Sequence, residues 1–541
     1  MTAVADAPVR HRPPRAGGAV PRTAARLLRI ELRRSAMPWI LPVIAALFWF
    51  DSYRFGTGTA PFWVLRTFWS MGEGRAFMDF APFVAGAAAW MGSRDGRRGT
   101  ADLMAGAVRP RWAVQLAAWA AAAIWAVGAY LVFVGVMFAV YAHQGLQGSP
   151  PWWWVAVGAA AVTAFSAAGF AVGAFFPSRF AAPLAAFGVF LAVIASSQNG
   201  FGDTSGWPLI LPNNANGNYQ LVSGIFYPYL PDLPIARMMF LAGIAVAALG
   251  LLGLPARAGG AGLRRAAAVV TLAGLAAAGT ASGLVRTARL TPHGMVIPAL
   301  HDAANDRPIG YTPVCAQAAG IPVCLNPAYR RYLPEVAADL RPVLAEVAGL
   351  PGGPARVAQV AGRYTRFQFE FVSAQAVEVT ISGRAEFVSA RAVAVTISGR
   401  PPVLRLPLDE FNTLPSPAPG SATQFDQELL LLSVHAFVGA ANGAGTAAQQ
   451  AVQAALLQHG GIPFAAQLQA LTIGWLPDWA QADIQGLIAR STSSNPDQPL
   501  AGPVYAAARR LAALPAAARH AWLAAHLAAL RSGQLTLGQL P

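Results

Sequence analysis

The residue types able to do chemistry are thinly spread along these 541 residues. The two cysteines, Cys315 and Cys324, stand nine positions apart with Pro322 between them. In an oxidising compartment they close a small loop worth roughly 2–3 kcal/mol. In a reducing one they are two buried thiols. The second half holds six histidines: His293, His301, His435, His459, His520 and His526. None stands in an HExxH pattern, which excludes the usual zinc peptidase, and no GxSxG nucleophile elbow occurs. His301 and Asp302 are neighbours on a loop. His520 and His526 are six apart, too far to share one helical face, and Ser433 and His435 point in different directions from a helix. Each of these histidines reads as a core or surface residue. The sequence predicts no catalytic site, no bound metal and no cofactor.

Arg75 and Asp79 are four residues apart at the start of an apolar run, on one face of a helix. An ionisable group there is costly and marks a functional position by default. The pair reads either as a snorkelling ion pair at the outer interface or as part of a transport path. The basic side chains also carry a negative result. All 39 are arginine, and without a lysine no Walker A loop can reach a nucleotide phosphate. The lysine-free, alanine-rich usage is that of a GC-rich bacterial genome.

The densest cluster of charge beside apolar sequence is Ser93 to Trp112, SRDGRRGTADLMAGAVRPRW. Between Gly99 and Val108 the pattern predicts a short amphipathic helix with Leu103, Met104 and Val108 near one stripe. Thr100 is placed to cap it, and Asp102 falls in its first turn, where a carboxylate suits the helix dipole. Arg109-Pro110-Arg111 stops it. The order of a charged pair (Arg97-Arg98), Gly99-Thr100, the acid Asp102, Leu103-Met104 and the closing Pro110-Arg111 resembles the coupling segment of the ABC-2 type permease family. These are the membrane-spanning subunits of ATP-driven transporters, and the resemblance extends over roughly residues 25 to 285. It implies six core spans per half-transporter, a second half (homodimer or heterodimer) and a separate ATPase subunit. It also implies that Asp95 to Arg111 transmit the ATPase's motion. The other reading of the same stretch is an ordinary cytoplasmic loop that orients the protein.

Around that stretch the composition is that of a membrane protein: 55% hydrophobic, and only 12% charged against roughly 25% in soluble domains. Seven apolar runs come near the roughly 20 residues a spanning helix needs. They are Ala36–Phe50, Ala76–Met91, Trp112–Tyr141, Trp152–Phe176, Phe180–Ser196, Met238–Leu254 and Ala266–Val285. Arginine-rich connections (residues 1–35, Arg94–Arg111, Arg179, Pro255–Arg265) alternate with arginine-free ones (Ala142–Pro151, Ser197–Ala236). By the positive-inside rule the N-terminus is cytoplasmic and the chain emerges outside after span seven; Asp51–Arg75, with three arginines, weakly opposes this. Residues 1–35 read as a basic cytoplasmic segment, disordered over 1–20, with an amphipathic helix over Ala24–Arg34 lying on the membrane. No small-residue cleavage site follows the first apolar run, so no signal peptide is expected. Twenty-one arginines and nine acids precede Arg286, so the excess charge belongs with anionic lipid rather than nucleic acid.

From residue 286 to 541 the polarity is ordinary, and an extracytoplasmic α+β domain is expected. Tyr329–Leu350 has helical spacing, with Leu333, Val336, Leu340, Leu344 and Val347 on one side. Residues 370–401 are a tandem repeat, EFVSAQAVEVTISGRA then EFVSARAVAVTISGRP. Each copy holds one alternating strand closed by Ser-Gly-Arg, as a recent duplication of one strand-turn unit would. Helices are expected again over Gln427–His459, Ala480–Arg490, Val504–Leu514 and Pro515–Arg531. The expectation is thus an all-α polytopic bundle of six or seven spans in a bacterial cytoplasmic membrane, followed by an α+β domain. A membrane-anchored outer binding or sensing module, or a membrane-bound hydrolase, are the alternatives.

Overall fold

The computed structural model describes residues 20–56, 80–99, 111–199 apart from 144, 147 and 149, 210, 225–254, 260–291, 294–361, 396–408 apart from 400, 424–439, 445–464, 467 and 502–541. The first described element is α1 (Val20–Arg34). Leu27, Leu28 and Glu31 turn inward, while Arg26, Arg29, Arg33 and Arg34 stay exposed. Arg33 and Arg34 stand in the last turn, where cations complement the helix dipole. The Ser35 hydroxyl then accepts from the Met37 amide, and α2 (Met37–Gly56) follows.

The rest of the bundle is α3 (Ala81–Gly92), α4 (Arg94–Arg97), α5 (Arg111–His143), α6 (Trp152–Phe175), α7 (Ala181–Asn199), α8 (Asp232–Leu251) and α9 (Gly260–Arg286). The described part of each of the seven apolar runs lies mainly on a helix. Among the described residues, four helices are long and apolar enough to cross a membrane: Arg111–His143, Trp152–Phe175, Asp232–Leu251 and Ala261–Arg286. Met37–Leu47, Ala81–Gly92 and Ala181–Val193 are shorter apolar stretches. Large apolar side chains such as Val132, Leu184 and Leu272 face outward, as a surface solvated by lipid requires.

Small residues decide how the helices meet. A Cβ on Gly169 would lie 2.2 Å from the Ala85 carbonyl oxygen, and one on Gly173 2.0 Å from that of Ala89. The backbones of α3 and α6 therefore touch, and any side chain at these glycines would part them. The α8–α9 pair repeats the device: a Cβ on Gly243 would meet the Gly274 oxygen at 2.6 Å, and one on Gly250 the Thr271 hydroxyl at 2.5 Å. Close approach through small residues is how helices associate in lipid, where apolar burial alone gives little drive.

The second half is built on a mixed sheet, five-stranded among the described residues. A separate hairpin, β1 (Arg289–Thr291) with β2 (Gly294–Val296), joins it to the bundle. Strands β3 (Val314–Ala318) and β4 (Ile321–Leu325) form a hairpin whose two-residue turn is Ala319-Gly320, with φ of 52° and 80°. Strand β5 (Arg356–Gln359) runs parallel to β4 and to β7 (Val403–Leu406), and β6 (Thr396–Ser398) pairs antiparallel to β7 at the edge. Helix α10 (Leu333–Val347) packs on the sheet through the five residues its spacing marks, all buried. Among the described residues four more helices follow: α11 (Gln424–Val438), α12 (Ala447–His459), α13 (Pro503–Ala513) and α14 (Ala516–Arg531). This half is mixed α and β, as its patterning predicts.

Two expectations change. The stretch 427–459 is two helices, because Gly439 turns the chain at φ 82° and Thr446 with Gln449 forms a capping box that starts α12 afresh. The helix of the sixth run begins at Asp232, six residues before Met238, directly after Pro231, so Arg237 is carried into the bundle and buried. Of the tandem repeat, only the end of the second copy is described, and it is edge strand β6, closed at Gly399 with φ 92°. The first copy and the stretch 480–490 lie outside the described residues.

Candidate functional site

Helix α3 ends in a tight corner. The Ser93 hydroxyl donates to the Trp90 carbonyl, and its amide to that of Ala89. The chain then makes the single turn α4, Arg94–Arg97, and the amphipathic helix expected over Gly99–Val108 lies outside the described residues beyond Gly99. Arg94 donates from Nη2 to both carboxylate oxygens of Glu31, at 3.2 and 3.0 Å. Glu31 is 6% exposed, so the bond ties α4 to the buried side of α1. Asp95 stays beside Arg94, with its oxygen 3.5 Å from Nε. Arg97 lies flat on the Trp90 ring, 3.4 Å from its centroid, and donates to the Trp90 carbonyl at 3.1 Å. Gly96 abuts the α6–α7 turn so closely that a Cβ there would meet Pro177 Cβ at 2.3 Å. Arg98 and Gly99 point to solvent, and Gly99 leaves the turn at φ 63°. Arg111 opens α5 and is exposed.

One turn of helix thus touches three elements: α1 through an ion pair, α3 through a stacked guanidinium, and the end of α6 through a glycine. α1 is further fixed to α5, where the Trp125 indole donates to the Leu32 carbonyl at 3.0 Å. Trp154, at the start of α6, belongs instead to the core of the C-terminal domain. The corner and that domain therefore sit at opposite ends of the bundle. Thr100, Asp102, Leu103, Met104 and Pro110 lie outside the described residues, as do Arg75 and Asp79.

In the C-terminal half, Cys315 and Cys324 are bonded to each other across the β3–β4 hairpin, at directly opposed positions of the register. Three histidines sit on carbonyl oxygens: His459 on Ala512, His520 on Ala348 and His526 on Trp522. His301 does not pair with its neighbour Asp302, whose carboxylate accepts from the Ala304 amide instead. It lies between Asp232, 69 residues away in the chain, and Asp306. The sequence alone gave no sign of this partner, because Asp232 stands across two helices from it. Among the described residues no group of three or more His, Cys, Asp or Glu could hold a metal ion.

Together, four helices long enough to cross a membrane and a mixed α/β half define a helical membrane protein with a folded C-terminal domain. No family model, no curated protein and no solved structure matches the chain.

Proposed function

We propose that this chain is the permease subunit of an ABC-2 type transporter, moving its substrate across a bacterial cytoplasmic membrane with energy from a separate ATPase subunit and in company with a second permease half. The observation that carries the reading is the α3–α4 corner. A segment that receives work from a partner must be rigidly joined to several helices, so that displacing it moves them together. Arg94 on Glu31, Arg97 on Trp90 and Gly96 against Pro177 supply three such joints within four residues. The exposed arginines of α1 and Arg98 stand close by, which suits the cytoplasmic side. In this reading the N-terminus is cytoplasmic, the helices make six or seven spans, and residues 286–541 are extracytoplasmic, where the Cys315–Cys324 bond persists. Leu103 and Met104 are the apolar anchors that seat in the ATPase groove, with Arg97, Arg98 and Asp102 orienting them.

The test is co-purification of this chain with its ATPase subunit from the native membrane. Leu103→Asp should reach the membrane at wild-type level yet lose the ATPase, because a carboxylate in the groove is expensive to bury. Glu31→Gln should keep the ATPase but stimulate its hydrolysis several-fold less, because the joint to α1 is weakened. Wild-type yield and full turnover in both variants would reduce the stretch to a topogenic loop and remove the permease reading. Activity of a reporter fused after Pro541 only in the cytoplasm would overturn the orientation.

A further inference from the structure

Asp232, His301 and Asp306 form a line from solvent to the interior. The Asp306 side chain is 44% exposed, that of His301 15% and that of Asp232 0%. Asp232 lies in the first turn of α8. Its Oδ2 accepts from the Ile297 amide at 2.9 Å and lies 3.1 Å from His301 Nδ1. His301 Nε2 lies 3.1 Å from Asp306 Oδ2, on the short 3-10 turn Ala303–Asp306. Both ring nitrogens therefore face carboxylate oxygens. An ionised carboxylate only accepts, and a neutral imidazole has one N–H to give. Neutral His301 would serve one aspartate and turn a lone pair toward the other; the imidazolium serves both.

We propose that His301 is a proton-operated latch, holding residues 297–306 on the first turn of α8 while both ring nitrogens carry a proton and releasing them when one is lost. What the latch holds is apolar. Met295 and Ile297 pack with Leu233 and Ala236 of α8 and Ala281 and Val285 of α9, at the junction between the bundle and the C-terminal domain. The packed elements also bring Arg237 (α8), Arg286 (α9), Arg289 (β1), Asp302 and Arg307. Among the described charged groups, Asp306 and Asp232 act on the ring. The hydrogen bond that the ring donates to Asp306 leads, burial opposes it, and the net effect raises the imidazole above its ordinary value. The sign follows by linkage: the stabilisation is complete below the unfolded value of about 6.5 and is lost as pH rises through the higher folded one. The latch thus closes in mild acid and opens in alkali, and it does not depend on the permease reading.

Ile297 is the reporter, since its amide donates to the same carboxylate oxygen as the ring. Hydrogen exchange of the full chain in nanodiscs, corrected for intrinsic rates, should show Ile297 protection falling by about tenfold or more between pH 6 and pH 9. The amides of α10, in the same samples, should keep theirs. In His301→Gln the Ile297 protection should be low and flat with pH. In Asp306→Asn, which keeps the Asp232 contact, the fall should move to lower pH. A change under twofold in the wild type, an equal fall in His301→Gln, an unmoved midpoint in Asp306→Asn, or parallel loss of protection in α10 would each overturn the latch.

Discussion

Where α3 meets α6 the buried residues are Ala85, Ala88, Ala89, Gly169 and Gly173; in the core of the C-terminal domain they are Leu340, Leu344, Leu429, Leu432, Val434 and Leu456. The first contact brings backbone against backbone, the second interlocks long side chains. The difference follows from what each region leaves on folding. A helix in lipid gains little by moving an apolar side chain from lipid to protein, so close atomic contact and carbonyl proximity must hold it. A domain in water gains roughly 25 cal/mol for each Å² of apolar surface removed from solvent, so large aliphatic residues are the effective ones. The two halves therefore fail in different ways: one by being given a side chain, the other by losing one.

The largest expected effect is on the bundle. Gly173→Leu must displace the Ala89 carbonyl, 2.0 Å from the new Cβ, and separate α3 from α6. It should lower stability by about 3 kcal/mol or more, the upper end of overpacking, read as loss of the monodisperse peak and of the thermal transition in detergent. Gly135→Leu on α5, where a Cβ meets nothing within 4 Å, should stay within about 0.5 kcal/mol of wild type. Equal damage from both would break the contrast between contact and open glycines.

In the C-terminal domain the matching change is a deletion. Leu340→Ala removes a fully buried side chain from the face of α10 that covers the sheet, and should cost about 2–5 kcal/mol. Exchange protection should fall in residues 314–361 and hold in α3 and α6. Loss of protection in the bundle as well would show that the two halves unfold as one.

The domain also carries a pH dependence that small apolar contacts cannot have. Burial, reinforced by Asp426 of α11 and Glu335 one turn away on α10, pushes the Asp339 carboxyl up to about 7 from 3.8. Between about pH 4 and pH 7 the folded state holds a proton the unfolded chain has released, so stability falls as pH rises through that window and stays lower above it. Asp339→Asn should be more stable than wild type at pH 8 by about 1–3 kcal/mol, discounting for partial solvent screening, with the advantage vanishing toward pH 4. Denaturant unfolding at the two pH values checks it; a constant difference would mean the carboxyls are not coupled.

The smallest effect concerns one backbone angle. Ala319 holds φ 52° in the hairpin turn that the Cys315–Cys324 bond closes. A Cβ in that region is disfavoured, so Ala319→Gly should gain up to about 1 kcal/mol, seen as a small rise in the midpoint of domain unfolding. A loss would show that Ala319 makes a contact outweighing the strain.

The sequence by itself determined what depends on near neighbours. Apolar runs placed seven helices, because a helix satisfies its own backbone wherever such a run allows it. Heptad-like spacing marked the buried face of α10, and alternation with Ser-Gly turns marked the edge strand β6. The cysteine spacing allowed either a closed loop or two reduced thiols, and only the strand register brought the two sulfurs together. The tertiary structure alone decided the rest. Glu31 meets Arg94 over 63 positions, and Asp232 meets His301 over 69. Gly173 meets Ala89 only because α3 and α6 cross there. No local pattern encodes these pairs: each depends on the angle and depth at which two helices pack, and those are set by which small residues let the backbones touch.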